Sequence, residues 1–170
     1  RDDAIKEMKK DIQEETCSGK NLEAYLKHLD PKSPAQMSAF VEYVAEVWHS
    51  GDAEAAKETL AEALFNTQEI DPKDRSTRAA LMAALAKCPP DLLQEIFADA
   101  AATDWQVHGH GRRAGPSIED KVVQRNIGHI LEMSSGYNQI HVGGPRGPTL
   151  GDTAMAAFDQ LMDEGKQTDA

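Results

Sequence analysis

Over the first hundred positions, large apolar residues recur at steps of three and four, the spacing that gives an α-helix one buried face. The sharpest start signal is Ser33-Pro34-Ala35-Gln36. Ser33 can cap free amides, Pro34 suits the first helical position, and Gln36 can reach back to close a capping box. Met37, Phe40, Val41, Val44 and Trp48 then form a stripe that Gly51 terminates. Asp52 can cap a second helix carrying Ala56, Leu60, Ala63 and Leu64. So short a connection forces an antiparallel return, and residues 34–66 are expected to form an αα-hairpin packed along its two stripes.

The same logic extends in both directions. Beyond the Asp71-Pro72 break, Ala80, Leu81, Ala84 and Leu85 mark another helix. Pro89-Pro90-Asp91 ends it and starts the next, with Leu92, Leu93, Ile96, Phe97 and Ala100 facing inward. Upstream, residues 2–16 and 21–29 read as two more helices. The first has a narrow stripe of Ile5, Met8 and Ile12, which suits either a solvated helix that docks weakly or the end of a longer one. Ser117, after Pro116, can cap a helix over 117–133, with Asp120 three positions on and Val123, Ile127, Ile130 and Leu131 buried. A final helix over 152–165, capped by Asp152, would turn Met155, Phe158, Leu161 and Met162 inward.

The expected fold is therefore mainly α: one domain over 1–170, a helical bundle of six or seven short helices that includes the hairpin. Its parts are a helical body (2–103), a Gly/His/Arg-rich lobe (104–151) around the 117–133 helix, and the C-terminal helix. Within the lobe, Gln106-Val107-His108 is echoed by Gln139-Ile140-His141. Extended segments there would place Val107, Ile140 and Val142 inward, which allows a minor two-stranded β-ribbon.

Composition narrows the function classes. At 170 residues and 40% apolar content, a single core can be filled. A net charge of -11 would repel nucleic acid and anionic membranes alike, so neither is an expected partner. No apolar run is long enough to span a bilayer, and Arg1-Asp2-Asp3-Ala4-Ile5 lacks the apolar centre of a signal peptide. A chain opening on arginine is expected to be a piece of something longer. Cys17 and Cys88 have neither metal-ligand spacing nor a secreted disulfide pattern, which favours a reducing, cytoplasmic compartment. Delivery into a host cell is compatible with that.

Charge and glycine are unevenly distributed. Residues 105–151 hold nine of the twelve glycines and four of the six histidines. They carry five basic residues against three acidic, a local +2 against -13 elsewhere. An anion would be welcome only on this island. Candidate ligand-binding residues are Arg112, Arg113, Arg125, His129 and Arg146, with Arg125 and His129 on the outer face of the 117–133 helix, solvated or turned toward the flanking loops. Across a ribbon, His108, His110 and His141 could converge. Three imidazoles with an open fourth position could bind zinc and acidify a water, so these are both the metal and the catalytic candidates. The run His141-Val-Gly-Gly-Pro-Arg146-Gly-Pro-Thr-Leu-Gly-Asp152, leading into a helix, also suits a phosphate. Neither the Walker pattern nor the dinucleotide fingerprint is present, and no cofactor is expected.

Two stretches resemble known families. Gly51-Asp52, Ala56, Leu60 and Ala63-Leu64 resemble one tetratricopeptide repeat, without its closing proline and with no second copy downstream. That resemblance implies paired helices; the same small residues also suit any close helix crossing. Cys88-Pro89-Pro90-Asp91-Leu92-Leu93-Gln94-Glu95-Ile96-Phe97 resembles the opening of an F-box, with Cys for the leading Leu and Ala100 where a Leu is usual. That resemblance implies binding of a ubiquitin-ligase adaptor through 88–97. The favoured expectation is a non-enzymatic protein–protein interaction module, from a larger scaffold or a secreted bacterial effector, whose partner is another protein. The alternatives are an enzyme acting on a phosphate-bearing or acyl substrate through the His/Arg-rich lobe, and the F-box-like adaptor binder.

Overall fold

A computed structural model describes residues 2–66, 74–104 and 139–168. Among these there are seven α-helices: α1 (Asp2–Glu14), α2 (Gly19–Lys27), α3 (Pro34–His49), α4 (Ala53–Ala61), α5 (Arg75–Lys87), α6 (Pro90–Asp104) and α7 (Leu150–Thr168). A single π turn, Glu62–Asn66, continues α4. No strand occurs among the described residues, and no described helix is long and apolar enough to cross a membrane. The expected helix over 117–133 and the 106–108 half of the ribbon lie outside the described residues.

The hairpin forms as its punctuation requires. Ser33 accepts the Gln36 amide and Pro34 opens α3. Gly51 adopts φ +101°, which a residue with a Cβ resists, and Asp52 then accepts the Ala55 amide to begin α4. Ala56, Leu60, Ala63 and Leu64 are all buried.

Packing departs from the simple hairpin expectation in one respect. α3 buries Met37, Ala39, Phe40, Val41, Tyr43, Val44 and Val47, residues that cover more than half of its circumference. It packs most extensively on α5, and also against α4, α1 and α2, so it is the hub of the bundle rather than half of an isolated pair. Trp48, expected in the stripe, is only half-buried, and its indole N–H donates to the Asp91 carboxylate on α6 over 3.3 Å.

α1 docks firmly. Met8 is 2% exposed, and Ile5 and Ile12 pack against the core beside α3. α2 begins at Gly19, two residues earlier than expected, with Ser18 as its cap. A Cβ at Gly19 would lie 2.6 Å from an Asp52 carboxylate oxygen and 2.8 Å from the Ala55 Cβ, so the starts of α2 and α4 approach through glycine.

The C-terminal helix requires two corrections. Its cap is Thr149, not Asp152: the Thr149 hydroxyl accepts the Asp152 amide at 3.1 Å, while the Asp152 carboxylate accepts the Thr149 amide at 3.2 Å. This reciprocal pair is a capping box, which places Asp152 at the third position and starts the helix at Leu150. The inward face also differs. Leu150, Thr153 and Ala157 are buried, and Gln94 of α6 donates to Gln160 over 3.1 Å, whereas Met155 is 62% and Met162 41% exposed. The Phe158 and Leu161 side chains, also expected inward, lie outside the described residues.

Candidate functional site

Among the described residues, polar or exposed apolar groups gather in the loop before α7, at the α1–α2–α3 junction and on the outer ridge of α7.

The loop over 139–149 is built, not slack. Ile140 packs partly against the core, His141 is exposed and Val142 is fully buried, the alternation expected of an extended segment. His141 bridges antiparallel to Thr149. The Val142 amide donates to Pro148 (2.7 Å), Leu150 to Ile140 (2.7 Å) and Gly147 to Gly144 (3.0 Å). Gly143, at φ +81°, sends its amide to the Leu85 carbonyl (2.9 Å) and leaves its Cβ position 3.1 Å from the Pro90 ring, room for glycine alone. The loop is thereby pinned to the junction of α5 and α6.

This closure decides what the loop can bind. The first α7 amide, Leu150, is spent on Ile140, and the third, Asp152, on Thr149. An anion arriving there meets two of the first three amides already bonded and the Asp152 carboxylate beside them. Arg146 is exposed at the loop tip. The His141 Nδ1 lies 2.7 Å from the Gly147 carbonyl oxygen, which only accepts, so Nδ1 donates there. Of the residues expected to act together, only His141 and Arg146 are described. His108, His110, Arg112, Arg113, Arg125 and His129 lie outside the described residues. Among the described residues no three His, Cys, Asp or Glu side chains are grouped to hold a metal.

At the α1–α2–α3 junction, the Asp11 carboxylate accepts the hydroxyls of both Tyr43 (3.0 Å) and Tyr25 (3.1 Å) on the same oxygen. The Tyr43 oxygen in turn accepts the Ser18 amide at 3.2 Å, and the two rings meet edge to face at 5.3 Å. Burial above all, helped by the Asp11 carboxylate, pushes the Tyr25 hydroxyl well above the usual phenol range. Burial likewise pushes Tyr43 up to about 12. Both phenols therefore stay neutral donors, and the site is a tether, not an acid or base. Sequence reading missed it because nothing local links positions 11, 25 and 43.

Neither thiol is activated. Burial, then the Glu46 carboxylate, raises Cys17, and burial raises Cys88 to about 12. A neutral thiol is a poor nucleophile. In the F-box-like run, Cys88, Leu92, Leu93, Ile96 and Phe97 are buried against the chain's own helices.

The remaining ridge is the outer side of α7. At about 100° per residue, Met155 and Met162 fall on one line, roughly 10 Å apart along the axis. Asp152, Asp159 and Asp163, all exposed, run along its flank.

No family model matches the chain, and no curated protein or solved structure is similar to it.

Proposed function

We propose that the protein is a non-enzymatic interaction module that receives another protein along the outer ridge of α7. The observation that carries this is the exposure of Met155 (62%) and Met162 (41%) in line on a helix whose other face is docked. Unbranched thioether side chains adapt to a partner's shape, and neighbouring exposed apolar groups mark contact surfaces. The described polar groups support the same reading. Asp11 with Tyr25 and Tyr43, Lys57 with Asp99, and Trp48 with Asp91 each hold one helix to another.

A photo-reactive residue installed at position 155 tests this in the native cell. It should capture one dominant protein, the adduct should disappear on Met162→Glu, and the same residue at exposed position 58 of α4 should capture nothing comparable. Equal labelling from both positions would remove the proposal.

A further inference from the structure

We infer that the partner seated on α7 is a cationic amphipathic helix, an inference that rests on the interaction reading above and adds the partner's chemistry. Two observations define its shape and charge. Met155 and Met162 lie one helical repeat apart, so they offer a narrow apolar line matched by large apolar residues at i, i+3 or i+4, and i+7 of a second helix. Beside that line Asp152, Asp159 and Asp163 are exposed, and the sequence from Leu150 to Asp163 contains no lysine or arginine.

A helix lying along the line from Met155 to Met162 therefore finds carboxylates on one flank, and the first base of α7, Lys166, follows only beyond Asp163. Lysines or arginines beside its apolar stripe complete ion pairs with Asp159 and Asp163, whereas glutamates there meet like charge. The net charge of -11 steers the same class of partner toward the protein from a distance. It also opposes the two other occupants of an apolar ridge. An anionic lipid surface is repelled by the aspartate row, and a second copy of α7 would bring one such row against another.

The test uses the full chain carrying carbon-13 methionine methyls and a short helical Leu/Lys peptide as probe, with its Leu/Glu counterpart alongside. The Leu/Lys peptide should shift the Met155 and Met162 methyl signals while buried Met8 and Met37 and exposed Met82 on α5 stay put. Asp159→Lys with Asp163→Lys should weaken binding about tenfold near 0.15 M salt. Glu23→Lys with Glu58→Lys, the same change in net charge on exposed positions of α2 and α4, should leave it within about twofold. Equal loss from both double variants would reduce the effect to bulk charge and overturn the inference. So would shifts of the two methyls by phosphatidylglycerol vesicles or on raising the protein concentration alone. Equal shifts by the Leu/Glu peptide overturn the cationic partner while leaving α7 as the docking ridge. Silence of both methyls toward either peptide, together with no capture from position 155, removes both readings.

Discussion

Replacing Asp11 with alanine measures how much one carboxylate contributes to assembling three helices. In the native fold a single Asp11 oxygen accepts two tyrosine hydroxyls, at 3.0 and 3.1 Å. Tyr43 is 0% exposed, so without Asp11 its hydroxyl keeps the Ser18 amide as a donor but loses its carboxylate acceptor, at about 1–3 kcal/mol. Tyr25 is half-buried and reaches water, which limits its loss to about 0.5–1 kcal/mol. Asp11→Ala should then cost about 2–3 kcal/mol and lower Tm by roughly 5–10 °C in a domain of this size. Asp11→Asn retains an acceptor oxygen and should cost about half as much. The decisive measurement is a urea-denaturation cycle of Asp11→Ala, Tyr43→Phe and the pair, with an expected coupling of about 1 kcal/mol or more. Additivity within about 0.5 kcal/mol would show that the shared oxygen does not couple α1 to α3, and the reasoning would fail.

The same tyrosines set an alkaline limit. Their folded pKa values lie above the unfolded value near 10, Tyr43 at about 12, so their contribution is complete below that unfolded value and is lost as pH rises through the folded one. The urea midpoint should fall above about pH 10, by up to about 1.4 kcal/mol per pH unit for each tyrosine, and fall less in Tyr43→Phe; equal slopes would contradict the assignment. In the loop, Gly147→Ala places a Cβ onto the Val142 carbonyl oxygen and should cost about 2–3 kcal/mol. Gly144→Ala, at φ +119° with nothing within 4 Å, should cost about 1–2 kcal/mol from backbone strain alone, and the reverse order in thermal melts would mean the loop closes differently. Lys57→Ala removes contacts to Asp99 (3.1 Å) and Glu95 (3.8 Å) that are open to solvent, so its loss should stay below about 1 kcal/mol and shrink in high salt.

What was legible in the sequence was local. Ser33, Pro34, Gly51 and Asp52 each determine the backbone within a turn of themselves, so the hairpin and its boundaries were readable. Burial decided by partners was not. Ala39, Tyr43 and Val47 stand off the main stripe of α3, and they are buried because helices surround it, which periodicity along one helix does not encode. On α7 the difference had the opposite sign: methionine outranks threonine and alanine in hydrophobicity, yet Thr153 and Ala157 are buried on the side docked to α6 while Met155 and Met162 stay outside. For the candidate chemistry, composition singled out His141 and Arg146, yet it could not show where the loop's amides go. The Gly143, Gly147, Leu150 and Asp152 amides are bonded within the chain, which leaves fewer of the donors that the glycines suggested.

The central position of α3 has a consequence for how the molecule comes apart. A helix gripped by α1, α2, α4 and α5 cannot be shed without exposing the interior of all of them, so those five should exchange their amide hydrogens together and slowly. α6 joins that core through buried Leu92, Leu93, Ile96 and Phe97 and through α4, whereas among the described residues α7 packs chiefly on α6. Such an outer helix should open at lower energy than the inner bundle, and it carries the ridge best suited to meeting a partner.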